Sequence, residues 1–375
     1  ASAIVFEARL GGFVIGLLLS ISTAWPCAAL LTTRTEEGAL ATSDAQEVIL
    51  ERNEAGVRTQ YRVTYDGNAE AFGWLIVTRG SVGDGDITEA DEGVFDRLRD
   101  FTAPQMFLLE TDSSGGAGGA GCACRGSSKS MPIGASPGGA NGDFGLGDTG
   151  NIDITAEGFA GPFAYTALEA SDADALVAWL DEHDFDLGDT ASTLDHYIED
   201  GGYTFIAVTL SPELADTPAQ GRTLPALSIQ SDADQMEFPA RMSYTGMADE
   251  LRTTVYVLGD ETAEISGGWS SSIVRSVDGG LFPADAYDQM LRDVSIQNGR
   301  AYATVHSSAF GGGWVTRFDT LAHRSLHTED PVFDFIGQTE TWQVEVSVEE
   351  GYENTTIWFW LPLFGLGVAR RRRGL

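Results

Sequence analysis

The chain has 375 residues, 22 basic against 56 acidic side chains, and a formal net charge of -34. A surface that negative repels phosphate backbones and argues against nucleic acid as a partner. The 43% hydrophobic content argues against general disorder, and the length allows two or three domains with cores that need no disulfides.

Residues 1–24 read as a secretory signal peptide. Arg9 precedes the apolar run 11–21, and Ser22 and Ala24 supply small residues for cleavage after Ala24. Pro26 before Cys27 breaks the usual lipoprotein pattern.

Residues 25–112 read as an N-terminal α+β region. In "VRTQYRVTY", Val57, Thr59, Tyr61, Val63 and Tyr65 alternate with Arg58, Gln60, Arg62 and Thr64. Period-two alternation predicts a strand with one buried and one wet face. "FGWLIVT" predicts a second strand. A helix is expected next, with Thr88 and Asp91 at its start and Val94, Phe95, Leu98 and Phe101 on one face, closed by Pro104.

Residues 113–150 are dominated by glycine, serine and alanine and read as a linker or loop. Two motif matches lie there. "GASPG" fits the nucleophile elbow and "GLGDTG" fits a dinucleotide fingerprint, yet neither has the strand and helix its chemistry needs. Cys122 and Cys124 also lie there. With Cys27 they are the disulfide candidates, and one pair leaves one thiol over.

Residues 151–350 read as a central and C-terminal α+β region. "GPFAYTALEA" predicts a strand. "SDADALVAWLDEHDF" predicts a helix capped by Ser171, with Leu176, Val177, Leu180 and His183 on one face. A short helix around Leu194, Tyr197 and Ile198 stops at Gly201. "TFIAVTL", "LPALSIQ", "MEFPARMSY" and "RTTVYVLG" read as strands, the third at a sheet edge because of Pro239. Trp342, Val344, Val346 and Val348 alternate once more. The expected fold class is α+β, β-rich, with mainly antiparallel sheets and a few amphipathic helices.

Acidic turns offer Ca²⁺ candidates at Asp84, Asp86, Asp148 and Asp153. Counted from Asp84, the EF-hand glycine and glutamate positions hold Glu89 and Phe95, so that motif fails. His323 and His327 share a face if their stretch is helical, but Arg324 stands where a zincin needs glutamate. No cofactor other than this candidate Ca²⁺ is expected, and no catalytic residue is assigned.

Residues 357–375 form an apolar tail with an arginine stop. Ile357 to Ala369 is apolar and Arg370, Arg371, Arg372 and Arg373 follow. As a helix the run spans about 20 Å against roughly 30 Å of hydrocarbon, and flanking arginines stay cytoplasmic. The layout resembles the tripartite sorting tails of Gram-negative envelope proteins. The partner expected is therefore the inner membrane or a sorting protease.

Several stretches in order resemble a bacterial family known as domain of unknown function 2330. They are "ATSDAQEVILERNEAGVRTQYRVTYDGNAEAFGWLIVT" with "VFDRLRDFTAP", the Gly-rich Cys-bearing insertion, "GPFAYTALEASDADALVAWLDEHDF" with "HYIEDGGYTFIAVTL", "TLPALSIQSDADQMEFPARMS" and "WVTRFDT". The resemblance runs from about Cys27 to Phe335 and implies export or envelope attachment, with no reaction assigned. The expected function is that of an exported envelope or surface protein with a non-enzymatic binding or structural role. The alternatives are an extracellular hydrolase whose acidic site is assembled by the fold, and a Ca²⁺-dependent adhesion module.

Overall fold

The computed structural model describes residues 29–33, 45–67, 72–109, 151–187, 191–210, 219–244 and 250–349. Two large sheets dominate. The smaller runs in the order β7 (Ile152–Ala160), β8 (Phe163–Ala170), β10 (Tyr203–Leu210), β4 (Phe72–Arg79), β1 (Ala29–Thr33), β9 (Phe185–Asp186), all antiparallel. The larger runs β16 (Ser270–Ile273), β18 (Ala301–Phe310), β19 (Gly313–His323), β14 (Glu250–Gly259), β2 (Ala45–Asn53), β3 (Gly56–Gly67), β12 (Leu227–Ser231), β5 (Ile87–Glu89). β11 (Ala219–Thr223) joins β3, and β21 (Trp342–Gln343) joins β18. Among the described residues only β14–β2 and β16–β18 are parallel in this sheet. Two three-stranded sheets complete the set: β13 (Met236–Glu237), β20 (Val332–Phe335), β15 (Ala263–Gly267), and β17 (Ser276–Asp278), β22 (Glu345–Glu349), β6 (Gln105–Leu109).

The fold is α+β, β-rich and mainly antiparallel. Strands from before and after residues 113–150 interleave in both large sheets, so the two regions flanking that segment build them jointly.

Alternation explains the layering. On β4, residues 72–78 are all buried. Phe72, Trp74 and Ile76 face the large sheet, while Leu75 and Val77 face α2 (Ala173–Glu182) and α3 (Ala191–Asp200). The large sheet is likewise two-sided. Val48 and Leu50 point into the core between the sheets, and Ile49 points to α1 (Glu92–Phe101) with Phe95 and Leu98. A fourth helix, α4 (Pro283–Ser295), covers β18 and β19 with Tyr287, Leu291 and Val294. The order is helices, sheet, sheet, helices, both faces of the central strands being closed by burial of apolar area.

Several local expectations need correction. Asp91 alone caps α1, accepting from the Gly93 amide at 2.9 Å, because Thr88 is held in β5 against β12. Phe101 leaves the buried helical face and packs edge-on against His306 and at a tilt to Phe310 instead. Asp172 rather than Ser171 caps α2, accepting from Ala175 N–H at 2.8 Å. "MEFPARMSY" is a strand only at Met236–Glu237. Past Pro239, which has no amide to give a ladder, Ala240–Tyr244 coil into a 3-10 turn. Arg62, on the face expected to be wet, is buried under α1 against Glu47 and Asp96. The His323–His327 stretch is not α-helical: His323 is exposed at the end of β19, and His327 is buried beyond a 3-10 turn.

Candidate functional site

The described residues assemble two places that sequence spacing does not reveal. The first is a partly buried titratable cluster where α3, the end of β4, the start of β10, β13, the 3-10 turn Ala240–Tyr244 and the loop before β20 meet. α3 brings His196, Tyr197 and Asp200, and Gly201, at φ +71, ends it so that the chain turns into β10. Tyr203 opens β10 and donates to Glu237 Oε1 at 2.6 Å. Arg79, closing β4, donates to the Tyr203 hydroxyl at 2.8 Å and to Glu237 Oε2 at 3.2 Å, with its guanidinium 5.2 Å from the Tyr203 ring centroid. Its other partner is Asp200 at 3.5 Å.

Asp330 occupies the other half. Its Oδ1 accepts from the Arg241 backbone N–H at 2.7 Å. Its Oδ2 lies 3.6 Å from Arg241 Nε and 4.0 Å from His196 Nε2. The Tyr197 hydroxyl faces this carboxyl closely enough to feel its charge, without a hydrogen bond of good geometry. Burial pushes Asp330 up to about 7, and the charge of Glu237 adds to that. Arg241, through its backbone N–H and its charge, and Tyr197 pull the other way. Burial and the Arg241 charge lower His196. Burial raises the phenols of Tyr197 and Tyr203 well above their ordinary value. A carboxyl that titrates near neutrality can hold and release a proton at working pH, which is the property a general acid or base needs.

Glycine permits this packing. Gly268 has φ +71, and a Cβ there would stand 1.9 Å from the Asp330 carbonyl oxygen.

The second place is an apolar rim. β6 and β17 flank β22 in parallel, with Leu109 opposite Glu349 and Asp278 opposite Ser347. Glu349 N–H donates to Gly280 O at 3.0 Å, which sets Leu281 and Phe282 on the other side of the same strand end. Leu108 is 75% exposed and Phe282 65%, with Met106, Phe107, Leu109 and Leu281 exposed beside them. Large apolar side chains gathered this way mark a contact surface.

The Ca²⁺ candidates are dispersed. Asp86 accepts from Gly83 N–H at 2.9 Å in a turn, and Asp84 and Asp86 lie near the Tyr165 hydroxyl, which burial and those charges raise. Asp153 is exposed on β7 opposite Glu169. Among the described residues no group of three or more His, Cys, Asp or Glu could hold a metal ion. Asp148, Cys27, Cys122, Cys124, Arg370, Arg371, Arg372, Arg373, "GASPG" and "GLGDTG" lie outside the described residues. No helix among the described residues is long and apolar enough to cross a membrane.

The family model of an uncharacterized protein conserved in bacteria, DUF2330, matches residues 24–315. The chain belongs to this family. In this DUF2330 member the match takes in α1 to α4 and most of the large sheets, and it ends within β19, ahead of Asp330 and β22. No curated protein matches the chain. One solved structure, a mutated baculovirus P35 after caspase cleavage, aligns at 9% identity over 80% of this chain and 100% of that chain, with a TM-score of 0.29. At that score the likeness bears on neither fold nor function.

Sequence reasoning missed Arg79, Tyr203, Glu237, Arg241 and Asp330 as a group. The signal nearest to hand was Glu237, a carboxylate set between Met236 and Phe238 in an otherwise apolar run. It marks a polar junction but names no partner.

Proposed function

We propose that this DUF2330 protein is an exported cell-envelope protein, with a body that serves a binding or structural role and a C-terminal tail that attaches it to the inner membrane or hands it to a sorting protease. The observation that supports it is where the folded body releases the chain. β22 ends at Glu349, beside the apolar rim, and the apolar run begins at Ile357 with four arginines behind it. Basic residues after such a run stay cytoplasmic, leaving the acidic body on the far side. The test is to express the chain without residues 357–375 and fractionate the cells. The full chain is expected in the membrane fraction and the truncated chain in the soluble exported fraction. If both chains partition alike, the tail neither anchors nor sorts.

A second reading, an extracellular hydrolase, is favoured by the convergence of Asp330, Glu237, His196 and two tyrosines. It predicts turnover of some chromogenic ester, glycoside or peptide that is lost in Asp330→Asn and in Glu237→Gln while both variants stay folded. Turnover equal in all three proteins would remove it.

A further inference from the structure

We infer that the rim formed by β6 and the Leu281–Phe282 turn docks onto the lipid bilayer surface, so that the body lies against the membrane in one orientation. This rests on the envelope attachment proposed above and adds a partner for a surface that attachment alone leaves unexplained.

The first argument is position. Residues 350–356 separate Glu349 from the apolar run. Fully extended they reach about 25 Å, at 3.3–3.6 Å per residue. A run inserted in hydrocarbon therefore keeps the end of β22 within that distance of the interface. Leu109 and Gly280 sit on either side of Glu349, each about one strand spacing away. The rim is the part of the described body tied most closely to the tail.

The second argument is chemistry. On a chain of net charge -34, "QMFLL" and "LF" carry no charge at all. In β6 every side chain is exposed, although alternation would normally bury every second one. β6 is also the last strand of its sheet among the described residues. Edges left open toward water are ordinarily blunted with charge or proline, and this one is not. Phe, Leu and Met side chains enter the headgroup and acyl boundary favourably, as on the apolar faces of interfacial helices. The charged groups on the strands and helix that carry the rim are mainly acidic, Asp278, Asp285, Glu345 and Glu349, and the neighbouring Arg275 is paired with Glu340. Docking therefore draws on apolar area alone, and it needs neither anionic lipid nor low salt.

The experiment uses the full chain in phosphatidylcholine vesicles. Flotation after a high-salt, alkaline wash reports attachment. Hydroxyl-radical labelling read by mass spectrometry reports contact at Met106, Phe107 and Phe282. Phe159, 53% exposed on β7 in the six-stranded sheet, is the internal control. Docking predicts at least a threefold drop in labelling at the three rim residues relative to Phe159, unchanged by 0.5 M salt and by dilution of protein in lipid. Vesicles that float with the rim labelled as strongly as Phe159 would overturn the docking and leave the attachment standing. Failure to float would remove the attachment and the docking with it. Protection that vanishes on dilution in lipid would assign the rim to a second copy of the chain, against this inference.

Discussion

Tyr203 and Glu237 stand 34 residues apart and meet through a 2.6 Å hydrogen bond that joins β10 to β13. Arg79 binds both partners, so one buried carboxylate is held by a phenol and a guanidinium from two other strands. The link belongs to packing as much as to chemistry, because it pins the small three-stranded sheet of β13 to the ends of the two central strands of the six-stranded one.

Removing the cation from this trio leaves a buried carboxylate without its counter-charge. Arg79→Met is expected to cost about 3 kcal/mol, while Arg79→Met with Glu237→Gln costs less than the two single changes added together, by about 1–2 kcal/mol. Urea unfolding of the wild type, both single variants and the double variant closes the cycle. Simple additivity would show that the three groups do not act together.

Asp330 gives the stability a pH slope. Its folded-state value, about 7, lies above the ordinary 3.8. The folded protein therefore binds a proton more tightly than the unfolded chain. The stability this contributes is fully present below about 4 and is lost as pH rises through 7. Asp330→Asn, which keeps an acceptor for the Arg241 amide, is expected to remove this fall. Urea midpoints measured at pH 5, 6, 7 and 8 check it, and parallel curves for the two proteins would contradict it.

Gly268 and Gly312 separate conformational cost from crowding. Both have positive φ, +71 and +96, but a Cβ at 268 meets the Asp330 carbonyl and one at 312 meets nothing within 4 Å. Gly312→Ala should cost about 1 kcal/mol and Gly268→Ala about 2–3 kcal/mol or more, since the Asp330 loop must move. Thermal midpoints rank the two. Only Gly268→Ala should also flatten the pH slope.

Arg317 is, like Arg62, a buried cation. It pairs with both oxygens of Asp319 at 2.9 Å and with Thr102, and Tyr287 of α4 donates to Asp319 at 2.7 Å. Arg317→Met alone should cost about 3–5 kcal/mol by stranding Asp319, and adding Asp319→Asn should recover a good part of it. Guanidinium unfolding followed by tryptophan fluorescence measures both.

How legible this was depended on how local each signal is. β3, β4, β8, β10, β12 and β14 follow from alternation or from continuous apolar runs, and α2 and α3 from apolar spacing near 3.6. α4 had a signal that went unused: Pro283 at its first turn, then Tyr287, Leu291 and Val294 at spacings of four and three. Met236 to Tyr244 misled because alternating apolar residues also suit a chain pinned between the sheet and Pro331, where Phe238 N–H bonds the Pro331 carbonyl. Arg62 misled because a second layer, α1, covers a face that one strand's pattern makes look wet. The Asp330 cluster was invisible for a plainer reason. Its members come from six separate segments, so no window of sequence contains the chemistry.

The parallel pairing of β2 with β14 has a consequence for how the chain reaches its final form. Val48 finds its neighbour Val255 only after some two hundred intervening residues exist, and β6 waits still longer for β22. Topologies of such high contact order fold slowly, because loop closure must come before the contacts that reward it. Neither large sheet can close on the N-terminal half alone. A chain still being made can complete the six-stranded sheet once Leu210 is present, but the larger sheet waits for β14, β18 and β19 in the last third.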